Sequence, residues 1–266
     1  MAKIIKITGG LGNQLFQYAY GRKLEIINKK DIIFDTSFFY ENKKDTSRPF
    51  LLDKFNINPK ANFKYIKRNS IHKFFLKIKD FILLRLIKDY NFYQNEKYFI
   101  DIKNNILTEY IPRTSISADA QNVLNQIRLN DNSVSIHVRR GDYVTNNRAN
   151  KTHGICDLKY YNEAVALIKS KLDNITFFIF SDDINWTKEN LKIEDARYVS
   201  NPSLKEFEEM ILMSNCKHNI IANSTFSWWS AYLNKNHDKI IIAPSQWNVK
   251  KTANQLDILP KSWLQI

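Results

Sequence analysis

The chain has 266 residues, and its 40 Lys and Arg against 27 Asp and Glu give a formal net charge of +13. This length permits one large domain or two smaller ones. With 44% hydrophobic and 13% aromatic residues the chain can bury a substantial core, which excludes global disorder. No apolar run approaches the roughly 18 residues of a membrane span. No signal peptide is recognisable, and two cysteines are too few for a disulfide framework, so we expect a cytoplasmic protein.

The first half is predicted to open with a strand, a glycine-rich turn and a helix. A short strand is expected over residues 3–7 and an amphipathic helix over 13–27, with three glycines in the turn between them. The exposed N–H groups of such a turn can hold an anion. A second strand is expected at 31–35, followed by an irregular polar stretch.

Residues 71–89 are predicted to form a basic helix with aromatic residues on one face. Two interpretations stay open: a helix packed on the core with a lysine-rich outer side, or a surface helix that contacts anionic lipid. A domain boundary is expected after Pro112, which gives domains 1–115 and 116–266.

The second half alternates strands with helices. Helices are expected over 118–128, after Asp157, and over 185–191, 203–215 and 225–233; strands are expected over 134–138, 175–180, 196–199, 218–222 and 239–243. The 203–215 helix is expected to start with a capping box formed by Ser203 and Glu206. Alternating strands and helices predict an α/β domain with a doubly wound parallel sheet.

Polar residues follow three of these predicted strands. Because ligands bind at the carboxyl ends of parallel strands, we expect these residues to lie at one edge of the sheet. Paired guanidiniums, carboxylates and hydroxyls at a helix start suit a nucleoside diphosphate. The residues are Arg139, Arg140 and Asp142 after the first strand, Asp182 and Asp183 after the second, and Ser224 and Thr225 after the third.

Each group also has a purely structural interpretation. The arginines are compatible with a surface patch or a salt-bridge pair, and Asp182, Asp183, Ser224 and Thr225 with helix caps. His137 is compatible with a structural hydrogen bond. The tryptophan pair after residue 227 is typical of a core.

Several other site types are excluded. No Lys-Ser/Thr follows the glycines as in a P-loop, and Leu15 stands where a dinucleotide fingerprint has its third glycine. The five histidines show no metal-ligand spacing, and no two Asp residues are separated by a single residue. The sequence therefore predicts no metal site, and arginines alone would neutralise a diphosphate.

Taken together, five ordered motifs resemble the bacterial α-1,2-fucosyltransferases of glycosyltransferase family 11. The resemblance spans essentially the whole chain and is least typical over 60–90. The motifs are GGLGNQLFQYA (9–19), YQNEKYF (93–99), HVRRGDY (137–143), SDD (181–183) and NSTFSWW (223–229).

This resemblance implies a GT-B-like fold, with two Rossmann-like domains facing a cleft and the C-terminal one binding the sugar nucleotide. It implies metal-independent, inverting transfer from GDP-L-fucose, a co-substrate, to the 2-hydroxyl of a galactoside, in surface glycan synthesis. Arg139 and Arg140 would bind the diphosphate, with His137 positioning it and Asp142 as candidate base. Asp182, Ser224 and Thr225 would hold GDP, and the loop containing Gly10, Gly12, Asn13 and Gln14 would face the fucose.

The expected partners are GDP-L-fucose, a galactose-terminated glycan and, through the basic helix, weakly an anionic membrane surface at the inner face of the plasma membrane. Transfer with another linkage or donor is an alternative. A basic nucleic-acid-binding protein is a more distant one, which the placement of the aromatic residues in helices and strands disfavours. A noncatalytic sugar-binding module leaves the paired arginines without explanation.

Overall fold

The computed structural model describes residues 2–41, 48–66, 92–141, 154–248 and 258–266. The chain divides into two compact units, Met1–Arg113 and Thr114–Ile266. The domains predicted from the sequence are 1–115 and 116–266. The predicted basic helix at 71–89 and the candidate base Asp142 lie outside the described residues. Nothing in the described segments is a helix both long and apolar enough to cross a membrane.

The first unit contains a small parallel sheet in the order β1-β2-β3. Its elements are β1 (Lys3–Lys6), α1 (Leu11–Ile26), β2 (Ile32–Asp35), α2 (Phe38–Glu41), β3 (Phe63–Lys64) and α3 (Lys103–Glu109). A buried polar network ties α1 to α3: the Tyr18 hydroxyl donates to Glu109 Oε2 over 2.6 Å, and Arg22 Nη2 donates to Glu109 Oε1 over 2.8 Å. This network fixes α1, and with it the glycine turn at its start.

The second unit contains a six-stranded sheet whose described pairings are all parallel, in the order β6-β5-β4-β7-β8-β9. Its strands are β4 (Asn132–Val138), β5 (Ile175–Ser181), β6 (Ala196–Tyr198), β7 (His218–Ile220), β8 (Ile241–Ala243) and β9 (Leu264–Gln265). Its helices are α4 (Ala118–Arg128), α5 (Leu158–Lys169), α6 (Ile184–Asn190), α7 (Glu206–Asn215) and α8 (Thr225–Leu233). The predicted doubly wound α/β architecture is therefore confirmed.

Each face of this sheet is covered by helices. Val134, Ile136 and Val138 of β4 pack with α5 on one side, while Phe178 and Phe180 of β5 pack on the other with residues of α4 and α7. Burial on both faces explains why β4 and β5 are so apolar at their centres. The tryptophans of α8, Trp228 and Trp229, are fully buried, as a core role predicts.

The start of α7 differs from the prediction. The helix begins at Glu206 with Lys205 as its N-cap, so a capping box of Ser203 with Glu206 is wrong. The Ser203 N–H instead donates to Asn201 Oδ1 over 2.9 Å, in a turn that precedes the helix. The Glu208 carboxylate caps the start of the helix. It accepts hydrogen bonds from the backbone N–H groups of Lys205 and Ser117, over 2.8 and 2.7 Å.

Candidate active site

The strand order of the second unit reverses between β4 and β7. Strands β5 and β6 extend the sheet to one side of β4, whereas β7, β8 and β9 extend it to the other. Open α/β sheets bind nucleotides outside the carboxyl ends of the strands at this reversal. Arg139 follows β4 directly, and Ser224 follows β7 just before α8 begins. The site residues predicted to follow these two strands therefore lie where the strand order reverses.

Arg139 is held by a carboxylate that directly follows the neighbouring strand, β5. Its Nη1 lies 2.7 Å from Asp182 Oδ2, and the two side chains are 18% and 24% exposed. This ion pair agrees with the salt-bridge interpretation and also fixes the direction of the guanidinium. Because a guanidinium carries five N–H donors, one carboxylate oxygen does not exhaust its capacity to bind phosphate.

Arg140 is fixed by three groups that follow β5. Its backbone N–H donates to Asp182 Oδ1 over 2.8 Å, and its Nε lies 3.4 Å from Asp183 Oδ2. Its guanidinium carbon stands 3.3 Å from the centroid of the Trp186 ring, a cation–π stack. Asp183 is also the N-cap of α6, accepting the N–H of Trp186. The capping interpretation is therefore correct for Asp183. Asp182 instead holds the loop of residues 139–141, which we call the arginine loop.

Gly141 is where this loop passes closest to Asp182. A Cβ atom at position 141 would stand 2.3 Å from Asp182 Oδ2, too close for any side chain without displacing the carboxylate. The glycine thus allows the backbone after the two arginines to lie directly against the aspartate that holds them. The residue after it, Asp142, is outside the described residues.

His137, next to last in β4, is a buried imidazole whose Nδ1 has no hydrogen-bond partner among the described residues. Its ring lies 5.5 Å from that of Phe226, in the first turn of α8. Burial, reinforced by the charge of Arg139, lowers the pKa of His137 to about 3, so the ring is neutral at physiological pH. A neutral, unsatisfied imidazole beside the arginine loop is available to position a ligand.

The start of α8 is suited to an anion. Ser224 occupies the N-cap position, its side chain makes no capping hydrogen bond, and the first turn contains no acidic residue. A helix start with these features presents backbone N–H groups and the positive end of the helix dipole to a ligand. Ser224 is buried, and Thr225 is the first residue of the helix.

Glu209 is a residue that the sequence analysis missed. Burial, together with the like charges of Glu206 and Asp182, raises the pKa of Glu209 to about 7, against the opposing effect of a hydrogen bond with Ser200. The Ser200 hydroxyl also accepts the N–H of Ser181, at the end of β5. Glu209 therefore lies near the carboxyl ends of β5 and β6. Its sequence signal is weak, because acidic residues in a first helical turn are ordinary.

In the first unit, the glycine-rich turn connects β1 to α1. Gly9 has a φ of +79°, in the left-handed region that favours glycine. Gly10 is the N-cap of α1, which has neither a capping side chain nor an acidic residue in its first turn. Gly12 is buried within the first turn of the helix. This helix start thus resembles that of α8 in leaving its N-terminal end open to an anion.

Two polar side chains of the first unit hold this turn in place. The fully buried amide of Gln14 donates to Gly9 O and Pro49 O, over 3.0 and 2.9 Å, and accepts the Leu51 N–H over 2.9 Å. Asn13 Oδ1 accepts a hydrogen bond from Gln94 Nε2 over 2.9 Å. Gln14 therefore supports the loop from inside, and the role of Asn13 in binding the donor stays a prediction.

No cluster of three or more His, Cys, Asp or Glu side chains able to hold a metal ion occurs in the segments that the structure describes. The largest concentration of charge at the site is the pairing of Arg139 and Arg140 with Asp182 and Asp183. These residues offer a ligand a fixed guanidinium pair, together with a neutral histidine that lies next to the start of α8.

Comparison with known proteins identifies the family. The profile of glycosyl transferase family 11 matches residues 2–266, and the chain belongs to that family. It is 35% identical to an alpha-1,2-colitosyltransferase of Escherichia coli, covering 99% of this chain and 98% of that protein. It is 32% identical to the O-antigen biosynthesis glycosyltransferase WbnK of Escherichia coli, covering 98% and 99%. The chain is therefore a glycosyltransferase, as predicted.

More distant similarities extend to animal enzymes and to solved structures. The chain is 26% identical to human galactoside alpha-(1,2)-fucosyltransferase 1 over 145 residues, which cover 51% of this chain and 40% of that protein. The crystal structure of NodZ alpha-1,6-fucosyltransferase soaked with GDP-fucose superposes with a TM-score of 0.52 at 13% identity, covering 88% of this chain and 93% of that one. The predicted GT-B-like α/β fold is thus confirmed.

Proposed function

We propose that this chain catalyses the inverting transfer of L-fucose from GDP-L-fucose to the 2-hydroxyl of a terminal galactoside. Membership of glycosyl transferase family 11 supports glycosyl transfer. Similarity to galactoside α-1,2-fucosyltransferases supports fucose as the transferred sugar, a galactoside as the acceptor and the α-1,2 linkage. The observation that carries the proposal is the guanidinium pair of Arg139 and Arg140, fixed where the strand order reverses.

The proposed role of the arginines follows from charge development. Breaking the bond between fucose and phosphate places negative charge on GDP and oxocarbenium character on the sugar. Guanidiniums fixed before the reaction stabilise that charge without reorganising, and one such donor can contribute about 3 kcal/mol to the transition state. The start of α8, which has no capping side chain, offers further N–H groups to the phosphates or the sugar. We propose that no metal ion is required.

The proposed guanine partner is Glu209. Guanine carries its N1–H and exocyclic N2–H donors on one edge, and a single carboxylate can accept both. Since the pKa of Glu209 is about 7 without a ligand, two such donors favour the charged form and lower that pKa on binding. His137, neutral and buried beside the loop, is proposed to position the donor.

An inverting reaction requires a base that removes the proton of the attacking hydroxyl. Asp142 is proposed for this role, because it lies just beyond the two arginines in the sequence and a carboxylate can accept the proton. Asp142→Asn is expected to reduce kcat by about 10²-fold or more while leaving the KM for GDP-fucose nearly unchanged. An unchanged kcat would assign the base to another group.

The decisive experiment is a donor panel. Hydrolysis and transfer are measured with GDP-fucose, GDP-mannose and UDP-galactose, each with and without lactose, and the product linkage is assigned by NMR. We expect transfer from GDP-fucose that forms an α-linkage to O2 of galactose. The Arg139→Ala variant serves as the control and is expected to be inactive. A different donor, or a linkage to another hydroxyl, would contradict the proposal.

A second candidate is colitosyl transfer, favoured by the similarity to an alpha-1,2-colitosyltransferase over almost the whole chain. Colitose is L-fucose without its 3-hydroxyl, so both donors offer the same diphosphate and nucleoside to the arginine loop. The ratio of kcat/KM for GDP-colitose and GDP-fucose discriminates between them. Similarity to an O-antigen glycosyltransferase supports a role in surface glycan assembly. We further propose, from the sequence alone, that the chain acts at the inner face of the plasma membrane.

A further inference from the structure

Two exposed tyrosines of the first unit form a pair that the site described above leaves unused. Tyr40 is 67% exposed and Tyr65 is 50% exposed, and no other aromatic side chain among the described residues is exposed to this degree. Their ring centroids lie 5.6 Å apart with the planes nearly perpendicular. Single exposed apolar residues are ordinary on a protein surface, but these two are in contact with each other.

The pair lies beyond the carboxyl ends of parallel strands. Tyr65 directly follows β3, and Tyr40 lies in α2, shortly after β2. The glycine-rich turn follows β1 at the same edge of this sheet. Since parallel strands are about 4.8 Å apart, β3 lies roughly 10 Å to the side of β1, a separation of one or two sugar rings.

The residues next to the tyrosines in the sequence are well packed. Phe39, which precedes Tyr40, and Phe63, two residues before Tyr65, both pack against Phe50, with ring centroids 5.5 Å apart in each pair. The backbone is also tied here, because the N–H of Thr36 donates to Lys64 O over 2.9 Å. Because their neighbours are held in this way, the backbone of both tyrosines is restrained before a ligand binds, which lowers the entropic cost of binding.

We propose that Tyr40 and Tyr65 form a platform for a sugar ring of the acceptor glycan, next to the galactose that receives the transferred residue. The C–H face of a pyranose packs on an aromatic ring, and the phenol hydroxyls hydrogen-bond its hydroxyl groups. This inference rests on the proposed function. It assigns acceptor selection to residues 40 and 65, the second of which lies in the stretch least typical of the family.

The test compares two acceptors, lactose and methyl β-D-galactopyranoside, with GDP-fucose as donor. For Tyr40→Ala and Tyr65→Ala we expect the KM for lactose to rise by about tenfold, which corresponds to about 1.4 kcal/mol, with kcat nearly unchanged. The KM for the monosaccharide should stay within about twofold, since it has no second ring to stack. Tyr40→Phe should keep most of the affinity for lactose.

Leu129→Ala, at a residue 84% exposed in the second unit, is the control for loss of an exposed apolar side chain. An unchanged KM for lactose in both alanine variants, or an equal rise with both acceptors, would overturn the proposal. If neither galactoside is fucosylated, the proposed function fails, and saturation-transfer NMR of lactose binding still decides about the platform. Weaker signals in the alanine variants would support it, and signals equal to those of the wild type, or none in either, would overturn it.

Discussion

Replacing Gly141 by alanine tests whether Asp182 must hold the arginine loop. The new Cβ atom would stand 2.3 Å from Asp182 Oδ2, whereas ordinary contacts begin near 3.4 Å, so the carboxylate must move by about 1 Å. That carboxylate accepts from Arg139 over 2.7 Å and from the Arg140 N–H over 2.8 Å. Neither bond survives a lengthening of about 1 Å, and at least one must break.

The loss is expected in catalysis rather than in stability. A misplacement of about 1 Å in a group that positions the reactants can cost about 10²-fold, and we expect this decrease in kcat/KM for Gly141→Ala. The ion pair is partly solvated, so its disruption should change the free energy of unfolding by less than about 1 kcal/mol.

A second glycine provides a matched control. A Cβ atom at Gly21 would also meet an atom at 2.3 Å, here Cε1 of the fully buried Phe34 ring. Overpacking a core destabilises by about 1–3 kcal/mol, of which the better helix propensity of alanine offsets about 1 kcal/mol. Gly21→Ala should therefore lower the melting temperature by a few degrees and leave the kcat of the folded protein intact.

Steady-state kinetics with GDP-fucose and lactose, run beside thermal melts, separate the two effects. The expected pattern is a stable Gly141→Ala variant with kcat/KM lowered by about 10²-fold, and a less stable Gly21→Ala variant with normal kcat. Near-normal kcat/KM in Gly141→Ala would refute the reasoning, because it would show that the ion pair between Arg139 and Asp182 does not set the geometry of the site.

Three further predictions concern charge. Arg139→Lys should fold normally and lose roughly 10²-fold in kcat, because an ammonium cannot copy two parallel bonds to phosphate; near-normal turnover would remove Arg139 from the site. Transfer should persist in excess EDTA, because arginines supply the positive charge; loss of activity with rescue by Mn²⁺ or Mg²⁺ would contradict this. The pKa of Glu209 is raised to about 7 in the folded protein, so folding favours its protonated form. The resulting contribution to the free energy of unfolding is complete below pH 4.5 and is lost as the pH rises through 7. Without donor, Glu209→Gln should therefore raise the melting temperature relative to wild type more at pH 8 than at pH 5, and the reverse trend would argue against a raised pKa of Glu209.

Elements with strong local signals could be predicted from the sequence. The structure has α4 over Ala118–Arg128, as predicted, because Ser117 caps it and its apolar residues recur at helical spacing. Strand β5 was recognisable from its apolar run, since both of its faces are covered. Strands β3 and β9 were not predicted, because two residues are too few to show a pattern.

The side-chain partners at the site could not be predicted. Which carboxylate pairs with Arg139 depends on the contact between β4 and β5, across 43 residues of sequence. Local sequence also does not determine that the Gln14 amide turns inward to Pro49 and Leu51. The capping box of α7 was misplaced because Glu206 and Glu208 are both acidic and near the helix start, and only the fold selects Glu208.

The stack of Arg140 on Trp186 gives this enzyme an intrinsic optical signal. A guanidinium 3.3 Å from the ring centroid perturbs the indole that it covers, and phosphate oxygens that draw the guanidinium away would change the emission of Trp186. The other four tryptophans, Trp228, Trp229, Trp247 and Trp263, are buried and contribute a steady background. If GDP binds at the arginine loop as proposed, its occupancy can be followed by tryptophan fluorescence in the unlabelled protein, on the timescale of a stopped-flow mixing experiment.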